Sequence, residues 1–146
     1  MDQIEIRSPK TEAEWEKYDD FRWEILRKPL NIPHVPLKDD LEESSYHFMA
    51  ITSSNEIVAC GRLHTNNDEE AQIRYMGVSE SIRRRGVGTL ILDRLENQAK
   101  VLGANSISLN ARNVALNFYK SLGYKAVGPY QSDTNIPHTK MEKFLT

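Results

Sequence analysis

The sequence has little cysteine, no long apolar run and no excess of one charge. Its one cysteine, Cys60, excludes an intrachain disulfide framework and a multi-cysteine metal site. No apolar run approaches the roughly 20 residues that cross a bilayer, and the N-terminus lacks a basic-then-apolar signal pattern. The net charge of −2 gives no reason to expect binding to nucleic acid or to an anionic membrane. These absences predict a cytoplasmic protein in a reducing compartment.

The composition is that of a globular chain. Apolar residues make up 39% and charged residues 27% of the 146 residues, which separates the chain from disordered sequences. It contains no internal repeat and no linker rich in proline, glycine or serine. A length near 150 residues is typical of one domain. We therefore expect one domain over residues 1–146.

Hydrophobic periodicity predicts both strands and helices. Thr11 and Glu14 form a capping-box pattern at the start of a first helix, and Pro29 ends that helix near Lys28. A later amphipathic helix ends near Gly103. We predict strands at residues 2–7, 46–52, 56–65, 72–78, 106–109, 124–129 and 137–144. The resulting order is β, α, loop, three β, α, β, α, two β, which predicts a mixed sheet with helices packed on it.

A glycine-rich turn precedes the amphipathic helix. Its sequence is Arg83-x-x-Gly86-x-Gly88, and Arg84 and Arg85 add positive charge. Backbone N–H groups at a helix start have no intrahelical partner and lie at the positive end of the helix dipole. Because glycines let a bulky anion approach those amides, the turn can hold a diphosphate. The dinucleotide fingerprint and the Walker loop are both absent, which argues against a general nucleotide binder. The alternative is a purely structural role, in which the segment is a tight turn with a solvated basic edge.

A second motif lies in the segment from Asn110 to Tyr124. It is interpreted as Asn-x-x-Ala-x-x-Phe-Tyr-x-x-x-Gly-Tyr, with Asn113 as the asparagine that also caps a short helix over 114–122. Together with the glycine turn, this segment resembles the GNAT superfamily of N-acetyltransferases, in particular small, poorly characterised bacterial members. The resemblance implies an α/β fold with a mixed, mostly antiparallel central sheet, a splayed β4/β5 pair and helices on both faces.

The resemblance also implies a binding site. In GNAT proteins the glycine motif binds the pyrophosphate of coenzyme A, and the splayed strand before it pairs with the pantetheine arm through its backbone. Asn113 then contacts the coenzyme arm, and Tyr119 lies near the thioester sulfur as the acid for the departing thiolate. Acetyl-CoA is the implied co-substrate, and an unidentified amine is the acceptor. The implied cofactor-binding residues are Met76, Gly77, Val78, Arg83, Arg84, Arg85, Gly86, Val87, Gly88, Thr89, Asn110, Asn113 and Tyr119.

The sequence offers several candidates for the general base and does not choose among them. A histidine titrates near neutrality, which suits a base for a primary amine, and His138 in the segment Ile-Pro-His is the first candidate. His64, Glu69 and Glu70 are further candidates, and a water relay without a side-chain base is another route. Cys60 lies in an apolar strand and is expected to be a small buried residue rather than a nucleophile.

The charges that would select an acceptor point in two directions. Arg22, Arg27 and Lys28 favour an acceptor with a carboxylate or phosphate if they face the pocket, although basic residues also stabilise a helix end. Acidic residues in the segment 39–43 favour a polyamine or a peptide lysine instead. Arg74 alternates with the following tyrosine on one strand, so we expect the two side chains on opposite sides of the sheet.

Two functions from different classes fit these residues. The first is an acetyl-CoA-dependent N-acetyltransferase, in which the amine attacks the thioester directly. The second is a non-catalytic, regulatory module that binds acyl-CoA. Tyr119 favours the enzyme, because a binding module needs no proton donor at the sulfur. Dimers are common in the superfamily, so a homodimer is left open.

Overall fold

Seven strands form one sheet. The structure is a computed structural model that describes residues 3–31, 36–132 and 134–146. The side chains of Leu30, Arg83, Arg84 and Arg85 are not described. The strands are β1 Ile4–Arg7, β2 Tyr46–Thr52, β3 Ile57–Thr65, β4 Glu70–Val78, β5 Ser106–Arg112, β6 Lys125–Tyr130 and β7 His138–Phe144. The helices are α1 Glu12–Leu26, α2 Val87–Val101 and α3 Leu116–Ser121. Short 3₁₀ turns lie at Lys28–Leu30, Glu80–Arg85 and Asn113–Ala115.

The sheet has the order β1-β2-β3-β4-β5-β7-β6. Every neighbouring pair is antiparallel except β4 and β5, which are parallel. The crossover between the parallel strands is α2, as a parallel pair requires a long connection. This topology confirms the predicted mixed, mostly antiparallel sheet. Within the described ranges, no helix is both long enough and apolar enough to span a membrane.

Local signals predicted most element ends to within two residues. The Thr11 side chain accepts a hydrogen bond from the Glu14 amide at 3.1 Å and caps α1. β2 has the predicted bounds, whereas β5 continues to Arg112, three residues beyond the predicted end. The prediction that Asn113 caps the third helix is wrong. Asn113 opens a 3₁₀ turn without a side-chain cap, and its Oδ1 accepts from the Thr139 hydroxyl at 2.7 Å.

The two faces of the sheet have different cores. On one face, α2 packs its apolar stripe of Ile91, Leu92 and Leu95 against β2, β3 and β4. On the other face, α1 covers a smaller cluster that includes Tyr18 and Met49. Helices therefore cover both faces, as predicted.

Gly61 on β3 is a point of close approach between α2 and the sheet. A Cβ there would lie 2.7 Å from Leu95 Cδ1 and 3.4 Å from Ile91 Cγ2. Gly61→Ala is therefore expected to lower the free energy of unfolding by about 1–3 kcal/mol, because it overpacks the core. Urea unfolding followed by circular dichroism measures the change.

Gly128→Ala on the edge strand β6 is the matched control, since a Cβ there has no heavy atom within 4 Å. Both substitutions stiffen the unfolded chain alike, and the control should change stability by no more than about 0.5 kcal/mol. Equal stability of the two variants would contradict the close packing of α2 on Gly61.

Candidate active site

The parallel pairing of β4 with β5 is short. It joins Glu70–Ile73 to Ser106–Leu109 and ends there. Beyond it, β4 continues to Val78 paired only with β3, and β5 continues to Arg112 paired only with β7. The two strands therefore diverge, and the β5-facing edge of β4 opens onto a cavity of about 220 Å³. This opening confirms the predicted splayed pair.

A bulge in β4 shapes the cavity wall. Gly61 on β3 opposes both Tyr75 and Met76, and Tyr75 has a φ of +53°, which is uncommon for a residue with a side chain. The prediction that Arg74 and Tyr75 face opposite sides of the sheet is wrong. Both line the cavity, and the Arg74 guanidinium lies 4.8 Å from the centre of the Tyr75 ring. The reason is that a bulge interrupts the alternation of a regular strand.

A network of arginines and carboxylates lies behind this wall. Arg22 and Arg62 are 0% exposed. Arg62 donates to both oxygens of Asp39 at 2.8 and 2.9 Å, and Arg22 donates to both oxygens of Glu42 at 3.2 and 2.6 Å. The hydrogen bonds from Arg62 lower the pKa of Asp39 to about 2, so this carboxylate stays charged. Buried guanidinium groups need such partners, because an unpaired buried charge is strongly destabilising.

The three basic residues near the end of α1 lie in different surroundings. Arg22 belongs to the buried network and does not line the cavity. Arg27 does line it, and its guanidinium donates to the carbonyls of Leu26 and Pro36 at 3.0 and 2.9 Å. Lys28 lies outside, 3.5 Å from a carboxylate oxygen of Glu24. Two of the four acids in the segment 39–43 are paired as well, since Asp39 and Glu42 are bound by arginines.

Tyr119 and His138 line the same cavity from α3 and β7. The Tyr119 hydroxyl lies 3.7 Å from the Met76 sulfur, and burial raises the pKa of Tyr119 to about 12, so the phenol keeps its proton near neutral pH. His138 Nδ1 lies 2.6 Å from the Ile136 carbonyl oxygen. Because a carbonyl only accepts, Nδ1 carries the proton, and Nε2 of the neutral ring has a free lone pair.

The other candidate bases lie elsewhere. His64 is buried between Arg62 and Asn66, at 3.5 and 3.1 Å, and burial lowers its pKa. Glu70 is at the first pair of the parallel ladder, the end remote from the cavity, and Glu69 precedes it. Burial raises the pKa of the Cys60 thiol to about 12, so it is a buried neutral group, as expected. In the described ranges, no group of three or more His, Cys, Asp or Glu side chains is placed to hold a metal ion.

The start of α2 lies beside the end of β4. Gly86 precedes the helix with a φ of +79°, and no side chain caps the first amides. A Cβ on Gly86 would meet no heavy atom within 4 Å, which leaves the approach to the amides of Val87 and Thr89 open. Gly88 has a different role, because its Cβ would lie 3.2 Å from Phe118 Cζ and 3.5 Å from Val78 Cγ2. The side chains of Arg83, Arg84 and Arg85 are outside the described part of the chain.

The structure separates the two asparagines of the second motif. Asn110 lines the cavity, whereas Asn113 does not. Asn113 instead lies beside β7, where its amide nitrogen donates to the Pro137 carbonyl at 3.0 Å. Counting the motif back from Ala115 gives position 112, and Arg112 does line the cavity. The spacing to Ala115 therefore places Arg112, rather than Asn113, at the asparagine position of the motif.

Comparisons with known proteins agree with this geometry. Residues 28–145 match the family model described as "Acetyltransferase (GNAT) domain". A Bacillus subtilis (strain 168) protein named "Uncharacterized N-acetyltransferase YjcF" is 33% identical over 123 residues, which are 84% of this chain and 86% of that protein.

Solved structures share the fold over nearly their whole length. Escherichia coli ElaA has a TM-score of 0.80 at 23% identity, covering 98% of this chain and 99% of its own. A GNAT family acetyltransferase from Elizabethkingia anophelis, solved with acetyl-CoA bound, has a TM-score of 0.68 at 19% identity, covering 99% and 98%.

Proposed function

Because the chain belongs to the GNAT family of acetyltransferases, we propose that it moves an acetyl group from acetyl-CoA to an amine within the cavity between β4 and β5. The observation that carries this proposal is the open edge of β4, which faces Tyr119 and His138 across one cavity. The acetyl-CoA bound by the Elizabethkingia anophelis relative supports the choice of co-substrate. One domain over residues 1–146, a cytoplasmic location and a homodimer stay predictions.

The described residues fit acetyl-CoA in two places. The uncapped amides from Gly86 to Thr89 offer donors and the positive end of a 15-residue helix to a diphosphate. The β4 edge over residues 76–78 has no β5 partner and offers backbone groups to an extended, amide-bearing arm. Gly77 also lets α1 pack on this strand, because its Cβ would lie 2.8 Å from Ile25 Cγ2.

The proposed reaction is a direct acyl transfer. The amine nitrogen bonds to the thioester carbonyl carbon, the carbon–sulfur bond breaks, and the products are an N-acetyl amine and a thiol. His138 Nε2 takes the proton that the amine loses, and the Tyr119 phenol donates a proton to the departing sulfur. A backbone N–H near Met76 stabilises the charge that develops on the carbonyl oxygen.

The alternative function is a non-catalytic module that binds acyl-CoA. None of the relatives or family models described above supports it. It predicts acetyl-CoA binding without release of coenzyme A in the presence of any amine, so a turnover assay separates the two functions.

Gly86→Val is expected to weaken acetyl-CoA binding at least tenfold, because the β-branched side chain would occupy the approach to the α2 amides. Isothermal titration calorimetry measures the affinity, with ATP and NAD as competing candidates on the same sample. The unsubstituted protein should bind acetyl-CoA selectively.

Gly103→Val is the matched control for backbone strain. Gly103 lies beyond the other end of α2, has a φ of +88° and likewise has open space around a Cβ. It should therefore lose similar stability but keep its affinity. If both variants bind equally well, or if the unsubstituted protein prefers ATP, the diphosphate site is not at α2.

Tyr119→Phe removes the proton donor at the sulfur and keeps the ring. We expect kcat to fall about 10²-fold while the acetyl-CoA affinity changes little, since general acid catalysis contributes on that order. Thiol release in the presence of an amine panel measures kcat. Tyr46→Phe, at an exposed position outside the cavity lining, is the control. An unchanged kcat for Tyr119→Phe would show that Tyr119 is not the acid that protonates the departing thiolate.

His138→Asn keeps an N–H at the position of Nδ1 for the Ile136 carbonyl but removes the basic lone pair of Nε2. The expected result is a loss of about 10²-fold in kcat/KM at neutral pH and a flatter rise of the rate with pH. A profile of kcat/KM against pH measures both. An unchanged profile would exclude His138 as the base and would favour proton transfer through a water relay.

A further inference from the structure

Arginines from three elements converge on the cavity. Arg27 comes from the end of α1, Arg74 from β4 and Arg112 from β5. No aspartate or glutamate is among the described residues that line the same cavity. The described wall is therefore cationic, although the whole chain has a net charge of −2.

Arg74 shares its one carboxylate partner among the described residues, Asp39, with Arg62. Asp39 is already held by two hydrogen bonds from Arg62, and it accepts one bond from Arg74 Nη1 at 3.1 Å. Glu42 is bound by Arg22. Arg74 uses only that one donor within the described part of the chain, and its side chain is 37% exposed. Arg112 forms no ion pair with any described residue.

The Tyr75 ring organises this wall. The guanidinium carbons of Arg62 and Arg74 each lie 4.8 Å from the ring centre, and those of Arg27 and Arg22 lie 5.9 and 6.0 Å away. A guanidinium near a ring face is attracted by the ring quadrupole, so the ring helps to hold these cations in place. Guanidinium groups that are already positioned lose less entropy when they bind a ligand.

Such a wall selects the charge of the acceptor. A guanidinium matches a carboxylate with two parallel hydrogen bonds, and charge-assisted bonds are about twice as strong as neutral ones. A polyamine would bring further cations into a cationic cavity and would be repelled. The same field favours the neutral form of an attacking amine, because like charges disfavour protonation.

The size of the cavity limits the acceptor further. The described residues that line it leave a cavity of about 220 Å³. This space must hold both the acyl end of the co-substrate and the reacting part of the acceptor. The part of the acceptor that lies within the cavity is therefore small.

From the cationic wall, we infer that the acceptor is an amine that also carries a carboxylate, and that the part of it within the cavity is about the size of an amino acid. Its carboxylate binds Arg112 and Arg74, and its amine reaches His138. This inference rests on the proposed acetyl transfer and adds the substrate class to it.

Paired substrates test the inference. A panel of α- and ω-amino acids is compared with the carboxamide of each and with spermidine, and thiol release from acetyl-CoA gives kcat/KM. We expect kcat/KM to be at least tenfold higher for the best amino acid than for its carboxamide. Equal or better turnover of the carboxamides or of spermidine would overturn the inference and leave acetyl transfer intact. Acetyl-CoA binding with no turnover of any amine would contradict the proposed function itself.

Arginine variants locate the selectivity. Arg112→Gln and Arg74→Gln should each lower the ratio of kcat/KM for the acid over the carboxamide by at least fivefold. A general loss of rate lowers both substrates alike and leaves this ratio unchanged. Arg94→Gln, whose guanidinium lies on α2 over the Phe48 ring, is the control and should keep the ratio. A ratio that both cavity variants retain would overturn the assignment to these arginines.

Discussion

Hydrogen-bonded pairing between β4 and β5 ends after Ile73 and Leu109, and the cavity is a consequence of that end. Each strand keeps its outer partner, so neither is free to close the gap. The bulge at Tyr75 adds a residue to β4 opposite Gly61, and bulges increase local twist and bend a strand. A continuous sheet thus contains an unpaired backbone edge in its middle, where an extended ligand arm can complete the pairing.

The buried arginine network connects the fold to the chemistry of the wall. Arg22 from α1 and Arg62 from β3 are fully buried, and their carboxylate partners come from α1 and from the segment after Pro36. Because buried charges require these partners, the segment is held against the sheet. Asp39 and Glu42 are paired with arginines there, and no acid is among the described residues that line the cavity. One set of ion pairs therefore fixes a loop and sets the sign of the charge that an acceptor meets.

Much of the fold could be predicted from local patterns. The cap at Thr11, the bounds of β2 and the end of α2 near Gly103 each depend on a few neighbouring residues. The glycine-rich turn likewise predicted a helix start whose first amides lack intrahelical partners, because this too depends on neighbouring residues. Tyr119 was placed in the cavity by its spacing in a motif, which is also a local property. The two glycines of that turn differ in a way that local patterns do not show. Packing against α3 leaves little room for a side chain at Gly88, whereas Gly86 has open space around it.

The sequence by itself determined the family, the order of elements and the residue types available for acyl transfer, because periodicity, caps and motif spacing are written in adjacent residues. Only the tertiary structure decided which of those residues share the cavity. It buried Arg22, turned Tyr75 toward Arg74 and brought Arg112 rather than Asn113 to the site. These outcomes depend on pairing register, a bulge and the competition of distant charges for partners, and none of these is encoded within a single stretch of chain.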